Sequence, residues 1–139
     1  MERQQIDALI KSGRYELVET HISWLLLDEK NAYKIKKPLK FSFLDFSTLE
    51  KRKMFCEEEV RLNRRLSPDV YLGIVTITLT RDKVNFGNDG EILDYAVKMK
   101  RLDQKTMMDK SLREGKVTEA EIKKLAVIVV DFHKKAEVV

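Results

Sequence analysis

The spacing of apolar positions changes several times along the chain, and each change marks an element. In residues 3 to 11, Ile6, Leu9 and Ile10 recur at helical spacing and Gly13 follows as a terminator, which predicts a short opening helix. From Glu16 the pattern becomes that of strands: ELVETHIS, then WLLL, a turn at DEKN, and AYKIK, ended by Pro38, which has no amide to give a ladder. Ser47-Thr48-Leu49-Glu50 reads as a capping box, so a helix is predicted from there to Leu66, where Ser67-Pro68 stops it. YLGIVTITLT, DKVNF and EILDYAVKMK are further strands, with GNDG as a tight turn between the last two. After Lys100 comes a connector with one short helix, and Thr118-Glu119-Ala120-Glu121 caps a final helix through LAVIVVDFHKK. The expected class is α+β, with about five antiparallel strands in one sheet, one packed helix and C-terminal helices.

Helical geometry sorts the charges of the central helix. With Leu49 at zero and about 100° per residue, Phe55, Leu62, Leu66, Cys56 and Val60 fall on one apolar arc. Glu59, at about 280°, lies within that arc, whereas Glu57 and Glu58 lie outside it. A carboxylate aimed at a core is costly unless a cation or donors meet it. The preceding strand supplies cations: alternation puts Ala32, Lys34 and Lys36 on one face and Tyr33, Ile35 and Lys37 on the other. A lysine beside a small residue suits a site where a flat ring lies over the alanine and the ammonium reaches phosphates. The competing reading is a structural strand-to-helix ion pair.

These residues carry a resemblance. Asn31-Ala32-Tyr33-Lys34 resembles the strand of protein kinases that bears the phosphate-binding lysine, with Glu59 as the glutamate of the next helix. ETHISWLLL, AYKIKKPLKF, FLDFSTLEKR and CEEEVRLNRRL are similar to the N-terminal region of aminoglycoside phosphotransferase-like proteins, many of which continue into a P-loop ATP-binding domain. The resemblance covers roughly residues 16 to 135 and implies a kinase-like N-lobe over 1–102, with a connector and the first helices of a truncated C-lobe over 103–139. It implies that Lys34 meets the α- and β-phosphates of ATP, Glu59 pairs with Lys34, and Ala32 roofs the adenine. Lys36 is the next choice for the phosphate contact. No glycine-rich loop is present, so Thr20, His21 and Ser23 would cover the phosphates, with help from backbone amides. Met99 would stand near the gatekeeper position, and the backbone of Lys100, Arg101 and Leu102 would face the adenine. The catalytic and metal-binding aspartates of the family follow the helix ending DFHKK, beyond Val139. Weak ATP binding, no magnesium held by this chain alone, no catalytic residue and no phosphotransfer by the chain on its own are therefore expected. The alternative is a non-catalytic interaction module that keeps the shape of the lobe.

Composition narrows the partners. The 139 residues are 43% hydrophobic and 36% charged, a globular balance, with a net charge of +4. Lysines and arginines are interleaved with acids, so nucleic acid ranks last among partners. One cysteine, Cys56, reads as a core thiol; with only His21 and His133 as further soft ligands, no metal site is expected. The N-terminus lacks the apolar stretch of a secretory signal and no segment is long enough to span a bilayer, so a cytoplasmic protein off the membrane is expected. Leu125 to Val130 are continuously apolar, which predicts a homo-oligomer formed through residues 119 to 139.

Overall fold

The computed structural model describes residues 1 to 138. They form two compact units, Met1–Arg101 and a second beginning at Leu102. In the first unit the order is α1 (Arg3–Gly13), β1 (Glu16–Glu19), β2 (Ser23–Leu27), β3 (Asn31–Lys36), β4 (Lys40–Phe41), β5 (Leu44–Asp45), α2 (Leu49–Asn63), β6 (Tyr71–Thr80), β7 (Lys83–Phe86) and β8 (Glu91–Lys100). The class is α+β, but the main sheet has six strands rather than about five, in the order β1-β2-β3-β8-β6-β7 and antiparallel throughout. All six strand segments read from the sequence join this one sheet, Glu16–Glu19 at its edge through pairing with Ser23–Leu27, which makes the count of about five one short. The last two strands also differ from expectation: β8 pairs with β3 and β6, so the GNDG segment carries the chain across the end of β6 instead of closing a hairpin.

Each face of the sheet has its own core. On one, Ile6 and Leu9 of α1 pack with Trp24, Leu26, Tyr33, Ile35, Ile77 and Ala96. On the other, Cys56 and Val60 of α2 pack with Val97, bordered by Tyr71, Ile74, Tyr95 and Met99. On β8, Ala96 belongs to the first set while Tyr95, Val97 and Met99 belong to the second, as the pleat requires. Trp24 is thus a packing residue.

The helix ends depart from the predicted signals in small, explicable ways. The opening helix stops on Arg14, which takes the left-handed conformation (φ 58°) itself. At the start of α2 the cap is Thr48, which accepts from the Lys51 amide, while Ser47 donates its hydroxyl to Asp45. With Ser47 committed to Asp45, the Ser47–Glu50 capping box does not form. The helix ends at Asn63 and continues as turns to Leu66. On the exposed face of α2, Glu57 pairs with Lys53, and Arg61 with Glu58.

The second unit holds a 3-10 turn at Gln104–Thr106, α3 (Met108–Arg113) and α4 (Glu119–Lys135). The Thr118/Glu121 capping box of α4 is present as predicted. Along α4, Ile122, Leu125, Val127, Ile128, Val129 and Val130 are all exposed. Among the described residues no helix is long and apolar enough to cross a membrane.

Candidate functional site

Strand β3 and helix α2 bring their charged residues together over one face of the sheet. Lys34 Nζ donates to Glu59 Oε1 at 2.6 Å, and Lys36 Nζ donates to Glu59 Oε2 at 2.6 Å. Glu59 keeps 14% of its side chain exposed against 54% for Glu57 and 46% for Glu58, so the helical angles separated the three correctly. The two lysines differ in access: Lys34 is 34% exposed and Lys36 only 7%, with its ammonium 4.9 Å from the centre of the Phe46 ring.

Burial pushes the Glu59 carboxyl up, and the hydrogen bonds and charges of Lys34 and Lys36 more than reverse this, holding it below its ordinary value. One turn earlier, burial pushes the Cys56 thiol up to about 11. That thiol is fully buried and stays protonated at neutral pH, which makes it core and not nucleophile.

The floor beside Lys34 is apolar. Register places Leu25 and Val97 across from Lys34, and Leu27 and Met99 across from Ala32. Facing partners share a side of the sheet, so Ala32, itself buried, lies between two larger apolar side chains on the face that carries Lys34. Leu27, Ala32 and Met99 thus form an apolar shelf on the face of the sheet that carries Lys34.

The other predicted positions fall less simply. The Thr20 hydroxyl closes the turn onto Ser23, accepting from its amide and donating to its carbonyl. Ser23 is buried opposite Lys36, whereas His21 is exposed. Thr20 and His21 border a surface hollow with Glu19 and Lys37, whose ammonium is held by Glu19 and the Thr20 carbonyl. At the end of β8 the amides of Lys100 and Arg101 are engaged by the carbonyls of Val70 and Lys30, and the Arg101 guanidinium by Asp28 and Glu16. Those two amides are therefore not donors for a base. Leu102 begins the second unit.

A buried ionic network escaped the sequence reading. Asp94, fully buried on β8, accepts from the Met1 ammonium at 2.8 Å, from Arg52 Nε at 3.0 Å to each oxygen, and from the Tyr95 amide. Arg52 also donates to the Phe46 carbonyl. The signal was available: on the same helical wheel Arg52 falls at about 300°, between Glu59 and Cys56. Leu62 and Leu66, by contrast, are exposed, so the buried arc of α2 is centred on Arg52, Cys56 and Val60.

No protein-family profile matches the chain, and no solved structure matches it at a significant level. Uncharacterized proteins of Mycobacterium tuberculosis and Mycobacterium bovis are each 30% identical to it over 119 residues. The match takes in 86% of this chain and 22% of each relative, so the chain spans about a fifth of the length of the curated relatives it matches.

Proposed function

We propose that the first unit is the nucleotide-binding lobe of an aminoglycoside phosphotransferase-like, protein kinase-like protein, and that it binds ATP weakly. The observation that carries this reading is the 2.6 Å contact of Lys34 with Glu59 from the following helix, beside the shelf formed by Ala32, Leu27 and Met99. A purely structural ion pair needs no apolar shelf at its open end. A nucleotide uses both parts: the base lies on the shelf and the phosphates take the exposed ammonium. Among the described residues no group of three acidic, histidine or cysteine side chains is placed to hold a metal.

The test is an ATP titration by calorimetry, with and without magnesium, on wild type and Lys34→Ala. A Kd near about 1 mM is expected for wild type. Loss of a hydrogen bond to a charged group predicts at least about tenfold weaker binding for Lys34→Ala. If wild type gives no ATP-dependent heat, or the variant binds as tightly, the nucleotide reading fails and the interaction module is left.

The same proposal includes self-association through α4. Its apolar residues face several sides of the helix and are exposed in this chain, and a second copy of the same surface covers them without any new chemistry. Sedimentation is expected to show a dimer or larger species that Ile128→Lys dissociates. A single monomeric species at micromolar concentration would discard this part.

A further inference from the structure

Glu59 is held by two lysines, and only one of them can reach outward. The Lys34 side chain keeps a third of its surface in solvent, while Lys36 is enclosed between Glu59 and the Phe46 ring. A buried carboxylate stripped of its counter-ion is strongly unfavourable. Were Lys34 the single partner, any phosphate drawing its ammonium away would strand Glu59. With Lys36 fixed on the other oxygen, Glu59 keeps a partner throughout.

We propose that Lys36 is a positioning residue: by holding Glu59 ionised and turned inward, it leaves the Lys34 ammonium available to a nucleotide phosphate. This rests on the nucleotide reading above, and it moves Lys36 from a phosphate contact to a support behind one. The charged groups around Glu59 are few. Strand β3 contributes Lys34 and Lys36; on α2 the neighbouring Cys56 thiol is neutral; on β8 Asp94 is committed to Arg52 and Met1. The state of Glu59 therefore depends on the two lysines.

A double-mutant cycle separates a support from a direct contact. ATP affinity is measured at pH 8 for wild type, Lys36→Met, Lys36→Arg, Glu59→Gln and the Glu59→Gln/Lys36→Met pair. Lys36→Met is expected to weaken binding about tenfold, with Lys36→Arg restoring most of it, since a charge-assisted hydrogen bond is lost and regained. In the Glu59→Gln background, loss of Lys36 is expected to change affinity by less than about twofold, the limit of ordinary additivity. A tenfold loss in that background would make Lys36 a phosphate contact and overturn the proposal, as would a Lys36→Met variant that binds like wild type.

A second measurement needs no nucleotide. The Glu59 carboxyl is titrated by NMR in Lys34→Met and Lys36→Met. The midpoint is expected to rise more in Lys36→Met, where the enclosed partner is gone. An equal or larger rise in Lys34→Met overturns the proposal. This arm decides the role of Lys36 even if no form binds ATP, a result that would sink the nucleotide reading alone.

Discussion

Asp94→Ala is expected to destabilise the first unit by about 3–5 kcal/mol. The carboxylate is fully buried and is the shared partner of two cations, the Met1 ammonium and the Arg52 guanidinium, themselves almost wholly enclosed. Its removal leaves both in a low-dielectric interior, and neither has room to turn to water. Domains of this size are stable by roughly 5–15 kcal/mol, so the variant would stand near the edge of folding. Asp94→Asn, which keeps the shape and some hydrogen bonds, is expected to fall between the variant and wild type. The control is Asp7→Ala in the same unit, whose partner Arg3 is 54% exposed, and which should cost no more than about 1 kcal/mol. Urea midpoints of the four proteins test this. An Asp94→Ala shift no larger than the Asp7→Ala shift would show that the network contributes no net stability.

Glu59→Ala is expected to cost about 3 kcal/mol, at the low end of the range for a broken buried pair. Lys36 is stranded, but Lys34 is exposed enough to regain water. Replacing both sides with apolar groups, as in Glu59→Leu/Lys36→Met, should recover most of the loss, because the penalty comes from the unpaired ion. The acid dependence has a definite sign. The folded Glu59 carboxyl titrates below its ordinary value of 4.5, so its stabilising contribution is fully present above that pH and is lost as pH falls through the folded value. Glu59→Gln should therefore show a shallower acid limb in a plot of unfolding free energy against pH than wild type. Parallel limbs would mean that Glu59 titrates alike in the folded and unfolded chains.

Legibility in the sequence followed the physics of each signal. The runs at 23–27, 31–36 and 91–100 read as strands from their aliphatic, aromatic and β-branched residues between turn signals, and not from alternation, because both faces of these strands pack against core. Helical angles separated Glu59 from Glu57 and Glu58 because a helix has one fixed period. Arg52 was not singled out, although its angle put it among the buried residues, because arginine is rarely buried unless paired and its partner Asp94 lies on a distant strand. Strand order was illegible. Nothing local tells β8 to insert between β3 and β6, since that pairing joins Lys34 to Val97 and Ile74 to Val97 over long stretches of intervening chain. The Thr48 cap was ambiguous for the opposite reason: two adjacent hydroxyls compete, and Asp45 decides between them.

That inserted strand also sets when the protein can fold. β8, the last strand of the sheet to be synthesised, is its centre, and Asp94 on it clasps the first residue of the chain across 93 positions of sequence. Without residues 91–100, strands β1 to β3 and β6 to β7 share no pairing and the β3 edge is bare. Lys34 and Lys36 on that edge are charges of the kind that oppose pairing with other chains.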